Sequence, residues 1–282
     1  MAGALTAKQF VVRLKENQSD DELRKIQRYF KSGKGEYGEG DKFIGVRMGT
    51  VFALAKEFIA LPPAEIERLM ESRIHEARAG AMSIMAKQYG HKNTSDARRK
   101  ELFDLYLRRH DRINNWDLVD LAAWHVVGRH LVERPRKILH KLARSRNMWE
   151  RRTAVLATMP MAWRGETDDA FAIAEILMND AEDLIHKAAG WALRETGRKD
   201  GKGLRAFLDK HAATMPRTML RAAIERFDRQ ERARYMTMRP ATEVLAASPS
   251  RSSRRGSAGP PARSRRASGG APPRRTDRGA SR

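Results

Sequence analysis

The hydrophobic and polar residues of the chain alternate with the period of an α-helix from near the N-terminus to about residue 234. Apolar side chains recur three and four positions apart, and no segment shows the period of two that is typical of a strand. The pattern therefore predicts an all-α fold. Helices are expected near residues 5–16, 20–31, 46–60, 62–73, 75–89, 94–110, 115–130, 134–145, 148–159, 167–179, 182–196, 201–211 and 216–234.

Local signals mark the ends of these helices. Pro62 and Pro63 suit the first turn of a helix, where a backbone N–H needs no partner within the helix. Asn114 can cap the helix that follows it, and Asp117 is interpreted as a further capping residue. Gly197 suits the C-terminal exit of another helix.

A weak internal repeat runs through the predicted helices. A basic residue followed by two small residues recurs as Arg78-Ala79-Gly80, Arg152-Thr153-Ala154, Lys187-Ala188-Ala189 and Arg221-Ala222-Ala223. Small residues let neighbouring helices approach closely, and the spacing fits a period of about 35–37 residues. The pattern predicts a right-handed α-solenoid of HEAT-like helix pairs. One copy is expected near residues 114–117, where no cation is present.

Asp120 is the residue that this pattern leaves unexplained. On a helix its neighbours four positions away are Trp116 and Trp124, and no Lys or Arg within one turn can pair with it. A carboxylate between tryptophans in a strongly basic chain costs free energy unless it has a distant partner or a function. Asp120 is therefore either a buried acid paired with an arginine of a neighbouring helix or a functional acid.

Glycines are concentrated in residues 31–41, between two predicted helices. The segment lacks the Gly-Lys-Ser/Thr spacing of a P-loop, so it does not predict a nucleotide-binding cradle of that kind. A flexible loop near a ligand is the favoured interpretation.

The positive net charge of the chain indicates which class of molecule it binds. The 282 residues carry a formal net charge of +21. Ten arginines and two acids give residues 241–282 a net charge of +8, so the rest of the chain is also basic, at +13. Such a balance favours a polyanion, most simply nucleic acid, over a membrane surface.

Cysteine is absent, which excludes disulfides, iron–sulfur clusters and cysteine zinc sites. The eight histidines show no metal-binding spacing, so neither a metal site nor a cofactor is expected. No apolar run approaches the roughly 18 residues of a membrane span, and no secretory segment is recognised. The expected location is the cytoplasm, in association with the nucleoid.

The composition changes near the C-terminus. Residues 247–282 consist almost entirely of Ser, Arg, Gly, Pro and Ala, with no Leu, Ile, Val or Phe. Such a segment cannot bury enough apolar surface to offset its conformational entropy. We expect a helical domain over residues 1–238 and a disordered basic tail over residues 239–282. The tail either contacts phosphates without sequence preference or is an incidental extension.

Three segments resemble a known family. They are Asn115-Trp116-Asp117-Leu118-Val119-Asp120, Trp149-Glu150-Arg151-Arg152-Thr153-Ala154-Val155 and Ala189-Gly190-Trp191-Ala192-Leu193-Arg194-Glu195. In this order, within a basic helical chain, they are similar to the DNA alkylation repair family of AlkD-like HEAT-repeat DNA glycosylases. The resemblance covers roughly residues 6–235. It implies a monofunctional enzyme that removes N3- and N7-alkylated purines from double-stranded DNA, acting as a monomer.

The resemblance also implies roles for individual side chains. Trp116, Trp191 and Asp120 match the catalytic residues that line the cleft beside the deoxyribose of the lesion. Arg152 matches the arginine that grips the DNA backbone. The lesion itself is not expected to enter a base-binding pocket.

Further cations are candidates for DNA binding. Arg151 is the rival of Arg152, because only one of two adjacent residues faces the cleft. Lys187, Arg194 and Arg221 are candidate phosphate contacts. The remaining tryptophans, Trp124, Trp149 and Trp163, are assigned to packing.

Two other classes of protein stay open. A non-catalytic helical module could bind DNA or RNA through the same cations, with Asp120 in a structural salt bridge. A protein-interaction scaffold could instead direct the cations to an acidic protein. In both classes Trp116 and Trp191 would be ordinary core residues.

Overall fold

The computed structural model describes residues 5–239, and the regular elements in that range are all helical, which confirms the all-α prediction. The α-helices are α1 (Ala7–Lys15), α2 (Asp20–Tyr29), α3 (Met48–Glu57), α4 (Pro63–Met70), α5 (His75–Gly90), α6 (Asp96–Arg108), α7 (Trp116–Ala122), α8 (Arg129–Leu131), α9 (Lys137–Ala143), α10 (Met148–Ala157), α11 (Met159–Trp163), α12 (Asp168–Ile176), α13 (Asp183–Gly197), α14 (Gly201–His211), α15 (Arg217–Ala223) and α16 (Arg229–Thr237). A π-helical turn, Ala123–Gly128, joins α7 to α8.

The helices pack in the order of the chain, as they do in an α-solenoid. One row consists of α3, α5, α7, α10, α13 and α15, and each helix in it contacts the next. Helices α4, α6, α9, α12 and α14 lie against this row, each in contact with a helix that is near it in sequence. The apolar core is continuous between the two rows.

The predicted helix over residues 216–234 is wrong in one respect, because the structure divides it into α15 and α16. The side chain of Asp228 accepts hydrogen bonds from the backbone amides of Gln230 and Glu231 and so caps α16. A capping aspartate competes with continuation of the helix, and the apolar period alone does not reveal that competition.

Charged residues occupy equivalent positions in four helices of the first row. Asp120, Arg152, Lys187 and Arg221 are each the fifth residue of their helix, in α7, α10, α13 and α15. The interrupted copy of the repeat therefore falls at Asp120 rather than at residues 114–117. A carboxylate stands where the following three repeats carry a cation, and Asp120, Arg152 and Lys187 line one pocket.

The predicted disordered tail lies outside the described residues from residue 240 onward, as do residues 1–4. Within residues 5–239 the structure contains no helix with the length and hydropathy that a membrane-spanning segment requires.

Close packing of α13 on α15 depends on Gly190. A Cβ at this position would lie 2.4 Å from the carbonyl oxygen of Met219 and 2.7 Å from the Cβ of Ala222. We therefore expect Gly190→Ala to lower the free energy of unfolding by about 1–3 kcal/mol, measured by urea denaturation. Gly49→Ala in α3 is the matched control, since no atom lies within 4 Å of its added Cβ. The control should raise stability by up to about 1 kcal/mol, and equal effects of the two variants would contradict the packing argument.

Candidate functional site

An open pocket of about 510 Å³ lies where α7, α10 and α13 pack side by side. Its lining residues are Asp120, Trp124, Arg152, Leu156, Trp163, Lys187, Ala188 and Trp191. Helices α10 and α13 each contribute a charged residue and an apolar residue one turn later, and Asp120 of α7 is followed four positions later by Trp124 of the π-helical turn. The pocket thus has a charged layer beside an apolar, largely aromatic layer.

Asp120 and Arg152 form a bidentate ion pair across two helices. Nε and a terminal nitrogen of Arg152 each donate to a carboxylate oxygen of Asp120, both at 2.8 Å. The other terminal nitrogen of Arg152 donates to the backbone carbonyl of Leu184 at 3.0 Å. The arginine side chain is 10% exposed, whereas that of Asp120 is 37% exposed. Asp120 is therefore paired with an arginine of a neighbouring helix, which was one of the two roles that the sequence allowed. Asp120 is nevertheless partly exposed in the pocket.

Two tryptophans that were assigned to packing belong to the pocket wall. Nε1 of Trp124 donates to the backbone carbonyl of Asp120 at 3.0 Å, and Trp124 meets Trp163 edge to face with ring centroids 5.0 Å apart. Trp163 is 37% exposed. Trp124 was detectable in the sequence, since it stands four residues after Asp120, as Trp116 stands four before. No comparable spacing marks Trp163.

Trp116 lies on the other side of Asp120, in a second open pocket of about 610 Å³. Its indole stacks on Phe30 at 5.3 Å, with 14° between the ring planes, and meets Tyr29 edge to face at 5.6 Å. Asp120 lines both pockets. Trp116 and Trp191 thus belong to different pockets that share Asp120, and each is partly buried.

The structure separates Arg152 from its rival Arg151. Arg151 bonds to both carboxylate oxygens of Asp180, one of them at 3.0 Å, and to the backbone carbonyl of Ser145. The side chain of Asp180 is 4% exposed and that of Arg151 is 15% exposed, so the pair is largely shielded from solvent. Arg151 does not line the pocket. Its side chain instead links α10 to Asp180 in the segment that follows α12.

The other candidate cations differ in their surroundings. Lys187 lines the pocket, is 60% exposed and pairs with Asp183 at 2.8 Å. Arg194 is bound to the carboxylates of Glu195 and Glu225, and the structure does not bring it into the pocket. Arg221 is exposed, and no ion pair holds it among residues 5–239.

Two capping assignments are wrong. The helix cap of α7 is Asn115 rather than Asn114, since the side-chain oxygen of Asn115 accepts from the backbone amide of Trp116 at 2.8 Å. Asp117 instead pairs with the ring of His75 at 2.8 Å. A separation of 42 residues hid this partner from local pattern analysis.

His125 follows Trp124 in the π-helical turn. Burial, and then the nearby charges of Arg129 and Lys87, lower the pKa of His125 to about 4. Its ring is therefore neutral at physiological pH.

Within residues 5–239 no group of three or more His, Asp or Glu side chains is arranged to hold a metal ion.

Comparison with known proteins identifies the family. The model of the DNA alkylation repair enzyme family matches residues 11–227, so the chain belongs to that family and its substrate is DNA. A solved structure, the "Predicted DNA alkylation repair enzyme from Enterococcus faecalis", shares the fold with a TM-score of 0.60 at 16% sequence identity. The match covers 76% of this chain and 98% of that one. No curated protein sequence matches significantly.

The ion pair between Asp120 and Arg152 should couple the two side chains energetically. A double-mutant cycle with Asp120→Ala and Arg152→Ala, followed by urea denaturation, should give a coupling free energy of about 1–3 kcal/mol. This value lies between those of exposed and buried pairs, because the carboxylate is partly solvated.

The matched control for this cycle is Lys100 with Asp104, an exposed pair at 2.5 Å within α6. Its coupling should not exceed about 0.5 kcal/mol. A coupling of similar size for both pairs would show that the Asp120–Arg152 contact contributes no more than a surface pair.

Proposed function

We propose that this protein is a DNA glycosylase that hydrolyses the N-glycosidic bond of N3- and N7-alkylated purines in duplex DNA, without a base-binding pocket. Its membership of the DNA alkylation repair enzyme family supports this proposal. The single observation that carries it is the partly exposed carboxylate of Asp120, oriented by Arg152 in a pocket with three indole rings.

The chemistry of the substrate fits a site with one acidic residue. An N3- or N7-alkylated purine is already a cation, so it leaves as a neutral base and needs no general acid. Positive charge then develops on the deoxyribose as an oxocarbenium ion. A preorganised anion beside the sugar stabilises that charge where it forms, and can also orient the attacking water.

The side chains around Asp120 suit this task. Two hydrogen bonds from Arg152 fix the plane of the carboxylate, so little reorganisation is needed as the reaction proceeds. Trp116 on one side and Trp191 on the other can place the faces of their rings beside the sugar cation. We propose that these three residues are catalytic.

The backbone of the DNA needs cations with N–H groups that can reach phosphate. Three of the five N–H groups of Arg152 are used by Asp120 and Leu184, which leaves two for a phosphate at the edge of the pocket. Lys187 and Arg221 occupy equivalent positions in the next two repeats and are exposed. We propose that these cations follow one strand of the duplex along the row of helices.

A non-catalytic DNA-binding module is the alternative, and the ion pair itself favours it. A structural salt bridge was the role that this alternative gave to Asp120, and Arg152 supplies the partner. The two proposals differ in what the carboxylate does once DNA is bound. Base release therefore discriminates between them, whereas DNA affinity alone does not.

Asp120→Asn should lower the rate of 7-methylguanine or 3-methyladenine release from alkylated duplex DNA by at least about 100-fold. The amide keeps the shape of the side chain and removes the charge that stabilises the transition state. Single-turnover release at a temperature where the variant is fully folded, together with duplex binding, is the measurement. We expect binding to change by less than about threefold.

Asp183→Asn is the matched control, since Asp183 pairs with Lys187 near the pocket but does not line it. Its rate should stay within about threefold of the parent. Equal release by Asp120→Asn and the parent would show that Asp120 is not catalytic. If the parent releases no methylated purine from any alkylated duplex, the glycosylase proposal fails and the non-catalytic DNA-binding module is the function that stands.

Lys187→Gln and Arg221→Gln should each weaken duplex binding and reduce its dependence on salt. One lost phosphate contact lowers the slope of log K against log salt by about 0.9. Arg194→Gln should leave the slope unchanged, because that guanidinium is only 16% exposed and is bound by Glu195 and Glu225, whereas Lys187 and its partner Asp183 are both exposed to solvent. Binding titrations between about 50 and 200 mM salt measure the slopes, and identical slopes for all three variants would refute the assignment.

A further inference from the structure

We propose that His75 is a positioning residue, whose buried ion pairs hold the glycine-rich segment 31–41 and the start of α7 so that Trp116 and Asp120 face the site. The effect on catalysis rests on the proposed function, whereas the effect on structure does not. Nothing in the sequence singled out His75, which lies at the first position of α5.

Both ring nitrogens of His75 face carboxylates. Nε2 lies 2.8 Å from Asp117 and Nδ1 lies 3.0 Å from Asp41, and the ring is fully buried. A carboxylate only accepts hydrogen bonds, so both nitrogens must donate and the ring must be charged. Burial disfavours the charged ring, but the hydrogen bonds with Asp117 and Asp41 outweigh it and raise the pKa of His75 to about 9.

Asp41 connects three parts of the chain. Besides His75 it accepts from the guanidinium of Arg78 in α5 and from the side-chain amides of Asn114 and Asn115, at 3.0 and 3.1 Å. Burial opposes its ionisation, yet the bond with His75 and the charge of Arg78 hold its pKa well below the usual range. Two buried cations thus balance two carboxylates, and the charged groups that face His75 are Asp41, Asp117 and Arg78.

The network reaches Trp116 through two routes. Asp117 follows Trp116 in α7, and its second carboxylate oxygen accepts from the backbone amide of Leu118 at 2.9 Å. The ring of His75 lies 5.2 Å from that of Phe30, which stacks on Trp116 at 5.3 Å. Movement of the His75 ring would therefore disturb both the first turn of α7 and the stacking partner of Trp116.

The exit of the glycine-rich segment is anchored at the same place. The backbone amide of His75 donates to the carbonyl of Lys42 at 2.9 Å. The buried carboxylate of Glu76 accepts from the amides of Ile44 and Gly45 at 3.0 and 2.9 Å. The expectation of a flexible loop therefore does not describe its exit, where the first two residues of α5 bind the backbone and the side chain of Asp41.

Loss of charge on His75 should release this arrangement at alkaline pH. The pKa of His75 is raised above its ordinary value of 6.5, so its contribution to stability is complete below about pH 6.5. The contribution declines as the pH rises and is lost as the pH passes about 9. The neutral ring has a single N–H, so its other nitrogen presents a lone pair to a carboxylate oxygen, and this repulsion favours separation of α7 from the segment.

The first test uses the full chain between pH 6.5 and 10. Near-UV circular dichroism of the parent minus that of Trp116→Phe isolates the signal of Trp116. We expect this signal to fall with a midpoint near pH 9, and kcat for base release to fall with it by about tenfold per pH unit above the midpoint, with KM nearly constant. A Trp116 signal and a kcat that stay constant from pH 8 to 10 would overturn the proposal.

His75→Gln provides the second test. It should lower kcat at pH 7.5 by roughly 10- to 100-fold and abolish the alkaline transition. His140→Gln is the control, because His140 also lies near an aspartate, at 3.7 Å, but is 39% exposed. The control should keep the transition of the parent. Retention of the transition in His75→Gln would contradict the proposal.

A double variant combines Asp117→Asn with His75→Gln. It removes the carboxylate of Asp117, which has lost its charged partner, and should recover folding if His75→Gln alone is unstable. The double variant should still lack the transition, and full recovery of kcat would contradict a role for the charged ring. If the parent releases no methylated purine, the glycosylase proposal fails, while the Trp116 signal still decides the role of His75.

Discussion

The bidentate ion pair between Asp120 and Arg152 determines the geometry of the candidate site. The arginine is nearly buried, so its N–H groups require acceptors, and α7 and α13 supply them through Asp120 and the carbonyl of Leu184. The guanidinium is thus held between three helices. Because the carboxylate is more exposed than its partner, the pair fixes one edge of Asp120 and leaves the other edge open to the pocket.

The same pair shows what a repeat pattern can and cannot predict. The sequence predicted the helices, the recurring cation and an interruption of the repeat beside Asp120. It misplaced the interruption, because Asp120 and Arg152 are 32 residues apart whereas the next two steps are 35 and 34. Connection lengths vary between repeats, and a fixed period accumulates that error. Only packing of α7 on α10 establishes the true register.

The ion-pair partners that come from other repeats could not be predicted from the sequence either, because only packing of the helices brings them together. Arg151 and Arg152 are adjacent and identical in chemistry, yet one binds Asp180 and the other binds Asp120. Periodicity indicates that they point in different directions but not which direction is the pocket. Trp163 is likewise indistinguishable from a core tryptophan by local pattern, and its exposure follows from the position of α11.

The burial of Arg152 bears on how DNA would be held. Separating the pair would leave a guanidinium that is 10% exposed without its anion, and we expect this to cost about 1–3 kcal/mol, because Asp120 is partly solvated. A single solvated phosphate contact returns less than this, because the phosphate must also be desolvated. We therefore infer that the pair stays intact when DNA binds. Arg152 would then act mainly by orienting Asp120, and most of the phosphate affinity would come from exposed cations such as Lys187 and Arg221.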